Sequence, residues 1–600
     1  MSTEARTTKA PNSGFGWITK GFEAGLLFVL PLVFYRGFAE QFTYPKLFLT
    51  ELLVFLGCAV WAAGLVWGKF NWPSGFRLGL PLGIFSAAIL LSCFASPVAS
   101  FSYSEAIYFL CGPLWLLMLA SWRRGPAGVQ AIGGFVAAAG AVASGIALIQ
   151  WTGHDPLLFG GYSVQWGSMV PRMRLYSTFG NPNFLCGYLI GAIFPAVALT
   201  LTAPQRFWKI LCGIATIMIF AVIVETRSYG GWAALVAGAL VAYLVLVRTG
   251  KPSTLASAEE KTQTGGTVRS HWAPTCVVAI ALIGSLDQTL GTRIAGRIYL
   301  SRVAWQMFLE HPLLGGGWGT FQLGFLDHQA RFLAAHPELT RYWTMAWELH
   351  NDPLQLLVEA GVLGFAAFAW LLVTYVREVR KTPRVAAARQ DVVWLSASAG
   401  GAAAILGDSL VNFQFTVAPT LILLFTFLAF PFMLTTLRNS SGAEAQKKRS
   451  AGAHQGFLLR ALGGIGVAAL CAGLLTQATQ RALAEIDYQQ GINLESVGDF
   501  AGAEQIDRRG LSRAPENGRL HFALARVLYL QQQYEPALGE AELAEFTYSD
   551  SHLVVLQARI LDRMGRSAEA LEGFRRALLL DPTLKSVQAD IDRLAKSTSQ

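Results

Sequence analysis

The chain has 600 residues, of which 53% are hydrophobic and 14% charged, with a mean hydropathy of +0.42. That balance excludes an ordinary soluble domain and describes a polytopic membrane protein. The net charge of +9 does not point to nucleic acid, because most basic residues lie in short loops between apolar runs, the pattern of membrane orientation.

In chain order, residues 1–20 form a polar tail without a cleavable signal pattern, expected in the cytoplasm. Spans are predicted near Gly21–Phe38, Leu47–Gly68, Leu78–Ala95, Ala106–Ser121, Val129–Gln150, Asn183–Ala203, Phe207–Val224 and Gly230–Val247. Others follow near Ala273–Leu286, Asp352–Val376, Val392–Asn412, Val417–Leu437 and Phe457–Thr476. The expected fold is therefore all-α, a membrane bundle of about 12–13 helices with a membrane domain over 21–437. With the N-terminus inside, the cytoplasmic loops collect Lys69, Arg77, Arg123, Arg124, Arg206, Lys209, Arg248 and Lys251, as the positive-inside rule requires. The seven cysteines all fall within apolar runs, without CxxC or Cys/His clusters, so neither disulfides nor a metal site is expected, and no cofactor.

The chemistry is expected in two outward loops, 151–182 and 287–351. Arginine there has no orienting role, and its forked donors suit phosphate. The first loop holds Arg172 and Arg174; the exit of the seventh span holds Glu225 and Arg227; the second loop holds Arg293, Arg297, Arg302, Arg331 and Arg341. Gly315 to Gly319 lacks a following Lys-Ser/Thr, so it is no nucleotide loop and reads as a turn folding this segment back on the membrane. His311, His328 and His336 lack zinc-type spacing.

The second loop ends at ELHNDPLQLLVEAGVLGF, where His350 stands just before a helix start. Asn351 or Asp352 can cap that helix, and Pro353 suits its first turn. His350 is thus expected at the outer surface, beside a helix N-terminus that favours anions. Gly361 and Gly364 fall near its face and are expected to admit a neighbouring helix closely.

A basic cytoplasmic linker, 438–456, precedes the last span, and an odd number of spans places the tail outside. In that tail, 485–600, Gly491, Ala525 and Ala558 recur at roughly 34-residue spacing, as do Ala503, Ala537 and Ala570. This resembles three tetratricopeptide repeats, an α-solenoid that presents a surface to a peptide or protein partner, or that acts as a rigid spacer.

The run GRIYLSRVAWQMFLEHPLLGGGWGTF (296–321), then His350-Asn351, nine residues, Gly361 and Gly364, resembles the O-antigen ligase family. STFGNPNFLCGYL (177–189) and TRSYGGWAAL (226–235) resemble further segments of it. Two positions depart from the family: Ser301 replaces a common tryptophan, and Tyr229 stands where relatives carry an arginine. Arg227, two residues earlier, is the guanidinium nearest in sequence to replace it. The resemblance implies a glycosyltransferase of the bacterial inner membrane, acting at its periplasmic face without a metal. The donor would be a polyprenyl-pyrophosphate-linked glycan, and the acceptor a hydroxyl on the lipid A core, a glycan or a protein. It implies His350 as the acceptor-side base, with Arg227, Arg297, Arg172, Arg174 and Asn351 on the pyrophosphate. The alternatives are a transporter, since bicarbonate transport has been proposed for some relatives, and a membrane-tethered repeat scaffold.

Overall fold

The computed structural model describes residues 13–70, 72–73, 75–122, 125–157, 175–249, 290–382, 388–435 and 453–598. Arg172, Arg174 and the predicted span 273–286 lie outside them. Among the described residues the protein is all-helical, and it is a polytopic membrane bundle. In chain order the bundle is built from α1 (Ser13–Ala24, continued by a π-turn to Leu32), α2 (Tyr44–Val66), α3 (Gly79–Ala95), α4 (Ala99–Trp122) and α5 (Gly125–Trp151). Next come α6 (Pro182–Thr202), α7 (Arg206–Glu225) and α8 (Tyr229–Thr249). Nine described helices are long and apolar enough to cross a bilayer, and α3 is apolar but shorter.

The segment expected to be an outward loop is instead largely helical. α9 (Leu290–Glu310) and α10 (Phe321–Ala335) lead through a 3-10 turn (Pro337–Tyr342) to α11 (Asp352–Lys381). Tyr299/Leu300, Val303/Ala304 and Met307/Phe308 recur at helical spacing on α9. They bury against Phe321, Phe325 and Phe332, forming a small core separate from that of the bundle.

α12 (Arg389–Asp408) and α13 (Ala418–Thr435) complete the bundle, α13 almost wholly buried within it. The predicted last span proves to be part of α14 (Ala453–Ser496), a single 44-residue helix. At 1.5 Å per residue it is roughly 66 Å long, so it leaves the bilayer and becomes the first helix of the C-terminal stack. Three hairpins follow its lead: α14 with α15 (Phe500–Arg513), α16 (Gly518–Leu530) with α17 (Tyr534–Glu545), and α18 (Ser551–Arg563) with α19 (Ser567–Leu580), closed by α20 (Lys585–Thr598). Ala503, Ala525, Ala537, Ala558 and Ala570 are fully buried where these helices meet, as their spacing predicts.

The hairpins do not project freely. Trp343 Nε1 donates to the Leu580 carbonyl at 2.8 Å, and Leu326 and Ala330 of α10 share a core with α19 and α20. Arg481 of α14 pairs with Glu51 at 2.7 Å, and Arg519 of α16 with Glu40 at 3.2 Å. The stack and the His350 end of the bundle therefore lie on one side of the membrane domain.

Candidate active site

His350 adopts a left-handed backbone conformation (φ 58°), which turns the chain sharply into α11. Asn351 caps that helix: its side-chain oxygen accepts from the Leu354 amide at 3.0 Å. That oxygen is thereby committed to holding the turn. Gln355, one turn on, binds the Leu349 amide at 3.0 Å, Glu348 at 2.7 Å and Glu359 at 3.2 Å, fixing the segment from both sides.

The glycines expected to admit a helix do something else. Gly361 breaks α11 with φ 64° and ψ −169°, and a Cβ there would meet the Leu313 carbonyl. What approaches is the 312–317 turn. Gly316 N donates to Val358 O at 2.9 Å, Gly317 N to Glu359 O at 3.1 Å and Val362 N to Pro312 O at 2.9 Å. The break releases backbone groups of α11, and the glycine turn satisfies them. The nearest atoms around Gly364 are Ala360 and Leu356 of its own helix.

The hub of the site is a turn that sequence reasoning passed over, residues 408–415 between α12 and α13. Asp408, fully buried, accepts from Asn412 at 2.8 Å and from Gln414 at 2.6 Å. Asn412 Oδ1 in turn accepts from the Arg297 guanidinium at 3.2 Å. Asp352 ties the same turn to the start of α11, accepting from Gln414 N at 2.8 Å and Phe415 N at 3.2 Å while donating its own amide to Ser409 O at 2.9 Å. The Phe413 ring meets the His350 imidazole edge-on at 4.7 Å. Gly230 packs so closely on Val411 that a Cβ there would lie 2.4 Å from its side chain and 3.5 Å from an Asp408 oxygen. That brings the exit of α7 to the hub as well. Arg227 sits there, exposed, in a left-handed turn (φ 50°), without an ion pair among the described residues. Tyr229, at the position that departs from the family, packs its ring on Trp232.

Of the other arginines, Arg331 pairs with Glu310, which also binds His328, and Arg341 lies over the Tyr342 ring. These are surface contacts away from the hub. Among the described residues no three His, Cys, Asp or Glu side chains cluster as a metal would need.

His350 opens on a cavity of about 360 Å³ lined also by Phe413, Trp347, Glu348 and Lys46. Its Nδ1 is buried with no partner among the described residues, and burial, then the Arg297 charge, pushes its pKa down to about 4. The imidazole is therefore neutral at neutral pH, able to accept a proton. Burial, then Glu359, pushes Glu348 up to about 8. Lys46, also missed from the sequence, is 3% exposed and has no carboxylate partner among the described residues. It donates to the carbonyls of Val33 (2.6 Å), Phe42 (3.0 Å) and Thr178 (2.5 Å), so one side chain pins the 177–181 turn to the 33–42 loop. The remaining groups of that turn are structural: Ser177 N donates to the Gln150 side-chain oxygen at 2.7 Å, and Asn181 caps α6.

Residues 190–369 match the family model for O-antigen ligase. The matched stretch carries Arg227, Arg297, His350, Asn351, Gly361 and Gly364, and ends before the 408–415 turn and the hairpins. No curated protein matches the chain.

Proposed function

We propose that the protein transfers a glycan from a polyprenyl-pyrophosphate carrier to an acceptor hydroxyl, at the periplasmic face of the inner membrane. One observation carries this reading: within the ligase-like stretch, an unpartnered neutral histidine faces a cavity while Arg297 and the exit turn bearing Arg227 are gathered at the adjoining 408–415 turn. The pyrophosphate is already a good leaving group, so the main demand is to stabilise charge as the anomeric C–O bond to phosphate breaks. Arg297 and Arg227 supply forked donors for it.

His350 takes the acceptor proton as the new glycosidic bond forms, so a direct displacement inverts the anomeric centre. Burial depresses its pKa first and the Arg297 charge second; a pyrophosphate on Arg297 offsets the second cause, so donor binding raises the basicity of His350. Asn351 acts through the helix cap that orients His350. The C-terminal hairpins fit tetratricopeptide repeats, standing on the same face as the site.

The test is transfer in membranes with a lipid-linked donor. His350→Ala should lower the rate roughly 10²–10⁴-fold with normal protein accumulation, and His350→Gln, which cannot take a proton near neutral pH, should do nearly the same. Near-wild-type rates in the alanine variant would defeat the assignment. Orientation is checked with single cysteines at Glu338 and Glu535 in a thiol-free background. Both should label with an impermeant maleimide in intact spheroplasts, and labelling only after lysis would reverse the topology.

A further inference from the structure

Beside the His350 cavity lies a larger one, about 860 Å³, between the outer end of the bundle and the hairpins. The two share Glu40, Gln322, Trp347, Glu348 and Thr416 in their walls, so they are neighbouring chambers separated by these side chains. One wall of the larger chamber belongs to the C-terminal region: Arg481 on α14, Asn517 and Arg519 at the start of α16, and Tyr548 and Ser549 before α18. The matched ligase stretch does not reach this wall.

We propose that this chamber holds the acceptor, and that the part of the acceptor bound there is an uncharged, hydroxyl-rich glycan. The proposal rests on the transfer reading and adds where the acceptor lies and what chemistry it carries.

Charge decides against an anionic ligand. The arginines in the wall are already engaged: Arg481 by Glu51 and Ser104, Arg513 by Asp487, and Arg519 by Glu40 at 3.2 Å and Glu485 at 3.5 Å. Glu105 and Glu348 line the same space; Glu105 shares Arg481 with Glu51, and Glu348 forms no ion pair among the described residues. A phosphorylated or uronic-acid-bearing group would enter a chamber whose cations are already paired and whose other ionisable groups are carboxyls, with nothing to offset its desolvation. Sugar hydroxyls meet the opposite situation, since they carry no charge to desolvate and both donate to and accept from carboxyl groups. The apolar faces of a pyranose need flat apolar partners, and Trp347, which is 45% exposed, stands where the chambers meet. Tyr103 and Tyr548 offer rings on opposite walls, one from the bundle and one from the hairpins. A glycan stacked there would direct its terminal hydroxyl past Trp347 and Glu348 toward His350.

The test uses the full chain in cells, with a photoreactive benzoylphenylalanine replacing Tyr548 in one variant and Phe413 in another. After irradiation and purification, the Tyr548 position should carry a covalently attached glycan free of phosphate and uronic acid. Capture there of a phosphorylated lipid, of a peptide, or of nothing would overturn the proposal. Capture of the pyrophosphate-linked donor at Phe413 in the same cells would show that the transfer reading survives such a failure. A second measurement is kinetic: Ser549→Trp, which intrudes on the chamber, should raise KM for the acceptor roughly ten-fold while leaving kcat and donor KM unchanged. An unchanged acceptor KM, or a fall confined to kcat, would count against the chamber.

Discussion

On α7 the exposed residues include Phe207, Ile210, Ile214, Ile217 and Phe220, whereas on the hairpins exposed positions carry ion pairs such as Arg508–Glu504 and Arg566–Glu569. The two regions bury apolar cores of similar kind against opposite solvents. In the bundle lipid is as apolar as the interior, so burial of leucine discriminates little and buried polar groups fix the arrangement. In the hairpins the hydrophobic effect does that work, and polar groups on the outer face are nearly interchangeable. A buried Asp408 or Asp352 therefore carries information about the site, while an exposed Glu569 carries almost none.

The largest effect expected from this contrast is at Asp408. Asp408→Ala leaves the Asn412 and Gln414 amides without their acceptor, so nothing holds the Asn412 side chain that meets Arg297. A loss of about 2–5 kcal/mol is expected, with transfer falling alongside it. Thermal unfolding in detergent checks the first and the membrane transfer assay the second; a variant with wild-type melting and rate would mean the hub is ornamental. Gly361→Ala comes next, at about 1–3 kcal/mol, because the left-handed backbone strains any side chain and the new methyl meets the Leu313 carbonyl. A neutral outcome would show that the 312–317 turn can retreat from α11.

Arg297 gives a chemical version of the same comparison. Lysine keeps the charge but not the fork, so Arg297→Lys should recover little of the activity lost in Arg297→Ala. Equal, full activity of both would remove Arg297 from the site.

The pH dependence follows from His350. Its pKa of about 4 lies below the ordinary 6.5, so between these values the unfolded chain binds the proton and the folded one does not. Stability is then undiminished above pH 6.5 and declines as pH falls toward 4. The acid limb of kcat/KM, which reports the free enzyme, should likewise lie near pH 4 rather than 6.5, and His350→Gln should remove it. An acid limb at 6.5 that persists in the variant would assign it to another group.

Local rules were enough for much of this. Asn-Asp-Pro announces the cap and start of α11, and apolar run lengths announce the spans that the described helices occupy. The alanine spacing announces the buried positions of the hairpins. What could not be read is what depends on distant packing: the bond from Arg297 to Asn412 joins residues 115 apart in sequence, and Lys46 finds Thr178 132 residues away. A signal was present, since Asp408, Asn412 and Gln414 interrupt two apolar runs, and polar groups at such a break deserve a partner. Gly361 was misread for a different reason. Helical periodicity assigns it a face only if the helix is unbroken, and the glycine itself is the break.

The smallest expected effect completes the comparison and is the easiest to get wrong. Arg566 forms a two-pronged contact with Glu569, at 2.7 and 2.6 Å, which on distance alone outranks the 3.2 Å bond of Arg297 to Asn412. Both partners are solvent-exposed, so water competes for every donor, salt screens the charges, and ordering two long side chains costs entropy. Arg566→Ala should therefore leave the melting temperature and transfer rate of the full chain unchanged within error, at low and at high salt. A clear salt-sensitive loss of stability would show that the hairpin surface is not interchangeable, and that geometry outweighs burial in deciding which polar contacts of this protein matter.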